Sequence, residues 1–198
     1  MTLSPTQRAA LAQFLIARFK VVLRAKGDAA EMAVVSKVFG LVKLFGLGVP
    51  TSAQFMTGFW TTLGPVIYHP GTGPVDLASV LHVLMHEIMH AVQFWRDPFG
   101  HAFRYVSKRG RAELEAEAER AAIEGWYLLT GQLPTTLADI DKTRHGYAFA
   151  DEPGDHDDFA DLSRDLLEQA VTSVRAGVIS TDVGLEVQAW LRANGGAA

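Results

Sequence analysis

The residues best placed to do chemistry in this chain are His86, Glu87 and His90. They read His-Glu-x-x-His inside an apolar run at residues 83–92. Residues four apart on a helix differ by about 40° in azimuth and rise about 6 Å along the axis. His86 and His90 therefore project side by side and can hold one Zn²⁺ through two imidazole nitrogens at about 2.0–2.1 Å. Glu87 is turned about 100° from His86, which sets its carboxylate beside such an ion, where it can take a proton from water. The flanking Leu84, Met85, Ile88 and Met89 matter too. Polar groups buried among them cost roughly several kcal/mol unless they are paired, and an ion pairs them.

A catalytic zinc takes three protein ligands and leaves one position for water. His82 continues the row of His86 and His90, but eight residues from His90 is a rise of about 12 Å, too far for one ion. His101 follows His90 by eleven residues, one more than the metzincin spacing uses. A richer source is Arg111-Ala112-Glu113-Leu114-Glu115-Ala116-Glu117-Ala118-Glu119-Arg120, whose Ala and Leu content predicts a helix. On a helical wheel Glu113, Glu117 and Glu124 share one flank, and Glu115 and Glu119 share the other. An apolar stripe of Leu114, Ala118, Ala121, Gly125 and Leu128 lies between them. Periodicity leaves both flanks open as the one that meets the metal.

These two segments resemble a gluzincin-type zinc metallopeptidase, in which a glutamate helix after the His-Glu-x-x-His helix supplies the third ligand. Relatives show Glu-x-x-Ala-Asp there, and Glu113-Leu114-Glu115-Ala116-Glu117 is similar, with Glu117 in place of the Asp. The resemblance implies Glu113 as the third metal ligand and Glu117 as the outer carboxylate that orients a ligating imidazole. It also implies Glu87 as general base and Zn²⁺ as cofactor. Gln93 extends the first motif to His-Glu-x-x-His-x-x-Gln, a form found in small bacterial metallopeptidase-like domains. Gluzincins often add a His or Tyr that stabilises the oxyanion, and Tyr105, His145 and Tyr147 are the candidates by position. The similarity covers about residues 58–130.

The elements that must position these residues follow from local patterns. Ser4-Pro5 opens a helix expected to run to about Ala25, and a second fills about 29–45. Residues 59–62 and 65–68 are β-branched and aromatic around Gly64-Pro65, which predicts a hairpin or two short strands. The motif helix is expected from Asp76 to Trp95, stopping before Asp97-Pro98, with 98–109 irregular. The glutamate helix covers about 111–129 and closes at Gly131. An acidic loop at 151–158 lacks the spacing of an EF-hand and precedes helices at about 159–176 and 182–193. The expected fold is α+β, mainly helical and zincin-like with a small sheet. It forms one domain: a helical amino-terminal segment at 1–50, a catalytic core at 55–131 and a helical part at 132–198.

Composition narrows the chemistry. The 198 residues are 48% hydrophobic, which suits a folded domain, and contain no cysteine. Thiolate nucleophiles, disulfides and cysteine metal sites are therefore excluded, and a metal must be held by nitrogen and oxygen donors. A net charge of -4 argues against a general nucleic-acid binder. Residues 1–50 carry seven cations and two anions, net +5, so the remainder carries -9. Nothing resembles a signal peptide or a spanning segment, and a cytoplasmic protein is expected. The expected function is zinc-dependent hydrolysis of peptide or protein substrates. The alternatives are a non-catalytic zinc module and a protein that meets a membrane surface through its basic first 50 residues.

Overall fold

In the computed structural model, which describes residues 3–35, 52–133 and 156–195, helix α1 (Pro5–Arg18) begins at a reciprocal capping box. Ser4 Oγ accepts from the Gln7 backbone N–H, and Gln7 Oε1 accepts from that of Ser4. The helix stops well short of the expected Ala25. Lys20 takes a left-handed φ of 53°, and Val21-Val22 favours extended backbone. Residues Val22–Ala25 form strand β1 instead, followed by a single 3₁₀ turn over Lys26–Asp28. Helix is present at 30–35, and the rest of the expected 29–45 helix lies outside the described residues.

Helix α2 (Ser52–Gly58) leads into strands β2 (Thr61–Leu63) and β3 (Val66–His69). Gly64 makes the turn between them at φ 58°, a region open to glycine. The sheet order is β1-β3-β2, with β1 parallel and β2 antiparallel to β3. Thr62 opposes Ile67 in the ladder, so both face the same side of the sheet. That side packs on the motif helix, α3 (Leu81–Arg96). The other side buries Tyr68 against Met32 and Phe55.

Helix α3 starts later than the expected Asp76. The Asp76 carboxylate accepts from the Ala78 N–H and closes a separate turn first. Residues 98–109, expected to be irregular, hold helix α4 (Pro98–Val106). Asp97 ends α3 and caps α4 by accepting from the Gly100 N–H, with Pro98 in the first turn, where its missing N–H does no harm. Ser107 then caps α5 (Lys108–Thr130), which closes on left-handed Gly131. Helices α6 (His156–Arg175) and α7 (Asp182–Ala193) complete the described chain. The molecule is mainly helical with a small three-stranded sheet, an α+β arrangement.

The core is built around α3. Leu84, Met85, Ile88 and Met89 are fully buried. They share one cluster with Leu11 and Leu15 of α1, Ile67 of β3, Ala118 and Ala121 of α5, and Val187 and Leu191 of α7. Helices α3 and α5 approach closely where Gly125 faces Met85: a Cβ there would lie 2.2 Å from the Met85 sulfur. Helix α6 covers the far side of α5 through Leu167, Val171 and Val174 against Ile123.

Glu124 holds α5 to α7. Its buried carboxylate accepts from the backbone N–H and hydroxyl groups of Ser180 and Thr181 and from Arg120 Nε. Removing it strands the buried Thr181 donors at the start of α7 and takes a partner from Arg120 on α5. Glu124→Ala is expected to lower unfolding stability by about 3 kcal/mol or more. Urea denaturation checks this, and a loss below about 1 kcal/mol would contradict the anchoring role.

The basic amino-terminal segment is not a uniformly solvated cationic face. Lys26 is buried, with Nζ donating to the Phe55 carbonyl at 2.8 Å and lying 3.7 Å from the Phe55 ring centre. Burial holds its ammonium pKa down at about 8, against a smaller opposing pull from Glu87. Arg18 pairs with Glu186, and Arg24 with Glu31. Among the described residues, no helix is long and apolar enough to cross a membrane.

Candidate metal centre

The middle of helix α3, residues 84–93, is apolar on nearly all sides and buried throughout. Between residues 84 and 93 the exceptions are Glu87 and a polar stripe of His86, His90 and Gln93, spaced i, i+4 and i+7 and all buried. Helix α5 brings its Glu115/Glu119 flank to that stripe. His86 Nε2 and His90 Nε2 lie 3.1 Å apart, and Glu115 Oε2 lies 3.3 Å from the first and 3.4 Å from the second. A tetrahedral ion bound at about 2.0–2.1 Å needs its donor atoms about 3.3–3.4 Å from one another. The three donors stand within about 0.3 Å of that spacing. His86, His90 and Glu115 are the group of buried residues able to hold a metal among those described.

The contacts behind the donors point each ring the same way. Gln93 Nε2 donates to the Leu114 carbonyl at 2.7 Å and to Glu117 Oε2 at 3.0 Å. A carbonyl can only accept, so the amide's orientation is set and its Oε1 faces His90 Nδ1 at 2.9 Å. With Nδ1 turned to that oxygen, His90 presents Nε2 toward Glu115 and His86, the atom that would face an ion. Glu119 Oε2 lies 3.3 Å from His86 Nδ1 and does the same for the second ring.

The charges agree with this geometry. Burial alone would depress the His86 pKa, but the carboxylates of Glu115, Glu119 and Glu87 outweigh it and push it up to about 10. His90 moves up for the same reason, chiefly against Glu115. Burial would raise the Glu115 carboxyl, yet the two imidazoles hold it well below the usual carboxylate range. The pocket thus favours positive charge at its centre. Glu115 Oε2 is also buried without a hydrogen-bond donor, and a divalent ion would satisfy it.

Two further groups border the centre. Thr62 Oγ1 donates to Glu87 Oε2 at 2.6 Å. The Tyr105 hydroxyl donates to Glu115 Oε1, and its ring stands edge-on 6.1 Å from His90. Burial first, and then the charges of Glu115 and Glu87, push the Tyr105 phenol well above its ordinary pKa, so it stays a neutral donor.

Not every residue singled out from the sequence arrives here. Glu113, implied as the third ligand by the family resemblance, is ion-paired with Arg104 at 3.3 Å and Arg109 at 3.0 Å on the outer flank of α5. Glu115 takes the position beside the two imidazoles instead. The reason is the rotation of α5: with Leu114, Ala118 and Ala121 buried, the two glutamate flanks face opposite neighbours. Glu117 pairs with Arg96 and reaches the site only through Gln93, while the carboxylate directly behind the His86 ring is Glu119. His82 lies outside the cluster, its ring edge-on to Trp126, and His101 stacks beside Tyr105. His145, Tyr147 and residues 151–155 of the acidic stretch lie outside the described residues.

No family model, curated protein or solved structure matches this chain. The gluzincin resemblance is carried by its motif residues alone, and the chemistry of the site is read from its own donors.

Proposed function

We propose that this chain is a zinc-dependent metallopeptidase, with His86, His90 and Glu115 holding the ion and Glu87 acting as general base. The observation that carries the reading is the convergence of His86 Nε2, His90 Nε2 and Glu115 Oε2 at 3.1–3.4 Å beside a buried glutamate. Three nitrogen and oxygen donors, the set found among the described residues, are the pattern of zinc sites that keep a position for water. Bound zinc supplies Lewis acidity toward a carbonyl and a water of lowered pKa.

The chain's own groups do the rest. Glu87 takes the proton of the attacking water and passes it to the departing amine. Tyr105 holds Glu115 through Oε1, while Glu119 and Gln93 orient the two imidazoles. Strand β2 pairs only with β3 among the described residues. Its outer edge offers main-chain groups to an extended peptide, which would add as a further strand. A peptide or protein substrate and a cytoplasmic setting belong to this proposal.

One observation favours a second reading, a non-catalytic zinc module. All four residues His86, Glu87, His90 and Glu115 are at most 7% exposed, which also suits an ion that pins α3 to α5. One experiment separates the two. Dialysed protein is expected to take up one zinc per chain and to cleave members of a peptide library, with cleavage lost on chelation and restored by zinc. Stoichiometric zinc without cleavage would favour the structural module, and absence of zinc binding would sink both.

A further inference from the structure

We propose that Thr62 is a positioning residue for the base: its hydroxyl on strand β2 holds the Glu87 carboxylate by one oxygen and leaves the other for the attacking water. This role rests on the peptidase reading above. Thr62 faces α3 from the same side of the sheet as buried Ile67, its partner in the ladder. Its Oγ1 is 2.6 Å from Glu87 Oε2 and 3.3 Å from the Glu87 backbone carbonyl. A hydroxyl has one proton, and the short, charge-assisted contact to the carboxylate takes it.

Among the described residues, Thr62 is the only hydrogen-bond donor to that carboxylate. This matters because a glutamate side chain turns about three bonds. A base must sit within about 2.6–3.2 Å of the proton it removes. A catalytic group with nothing to hold it samples rotamers that miss such a target. The donor also comes from a different element than the base. Glu87 rides on α3 and Thr62 on β2, whose outer edge carries no further strand among the described residues. The bond therefore ties the base to the strand along which the substrate would lie, so that scissile bond and base share one frame.

A merely structural tie between strand and helix is the rival account, and kinetics separates them. Thr62→Val keeps the branched shape and strand preference but removes the hydroxyl. Thr62→Ser keeps the hydroxyl and removes the methyl. In the zinc-loaded full chain, with a peptide the wild type cleaves, kcat is expected to fall about 10- to 100-fold in Thr62→Val, the range seen when an outer hydrogen-bond partner of a metal site is lost. KM and zinc content are expected to hold within about twofold, and Thr62→Ser to recover most of the rate. A Thr62→Val kcat close to wild type removes this role while leaving the peptidase reading intact. A Thr62→Ser enzyme as slow as Thr62→Val also overturns it, because the loss then follows the methyl packing. A wild type that binds zinc and cleaves nothing removes both.

Discussion

Glu115→Gln is expected to weaken zinc binding by more than about 100-fold, while Glu113→Gln changes it by less than about fivefold. Gln keeps the volume and helix preference of Glu, so both variants should fold. At position 115 the substitution removes the anionic donor that stands 3.3 and 3.4 Å from the two imidazole nitrogens. Losing only an outer partner of a metal ligand costs about 10- to 100-fold in affinity, and losing a ligand exceeds that. At position 113 it removes exposed ion pairs with Arg104 and Arg109, each worth at most about 1 kcal/mol. Competition against a chromophoric chelator reads both affinities. A Glu113→Gln defect as large as that of Glu115→Gln would return the third ligand to the position implied by the family resemblance.

Glu87→Gln is expected to lower peptide hydrolysis about 100- to 10,000-fold with zinc content unchanged, the range supplied by a general base. The amide keeps the shape of the side chain and can still accept from Thr62, so β2 and α3 should stay joined. It cannot take a proton from water. Metal analysis and kinetics on one preparation check both halves. Loss of zinc along with activity would mean that Glu87 helps hold the ion. Full activity without the carboxylate would end its assignment as base.

The motif helix was legible because its evidence is local. His-Glu-x-x-His within an apolar run needs only the 3.6-residue period to place two imidazoles together, and the structure sets His86 Nε2 and His90 Nε2 3.1 Å apart. The turn at Gly64-Pro65 and the caps at Ser4 and Gly131 were readable for the same reason. Strand β1 was not. Val21-Val22-Leu23 continues a helical-looking stretch, and its extended form depends on β3, more than 40 residues later, as a parallel partner. Helix α4 was hidden by Asp97-Pro98, which signals a stop for one helix and a start for the next with equal force. Neither signal says which applies.

The third donor shows where sequence evidence runs out. Arg109 precedes Glu113 by four residues, and Arg111 precedes Glu115 by four. Both glutamates thus have the spacing of a solvated ion pair, and charge pattern could not separate them. Both flanks also border the same apolar stripe.

Residue order alone established the chemistry available here: nitrogen and oxygen donors without thiolates, two histidines one helical turn apart, a glutamate beside them and a glutamate-rich helix downstream. The fold chose among the glutamates. Helix α5 is turned about its axis by contacts distant in the chain: Gly125 against Met85, Gln93 to the Leu114 carbonyl, and Glu124 to Ser180 and Thr181. A helix's own period defines its faces, but only its neighbours define which face turns inward.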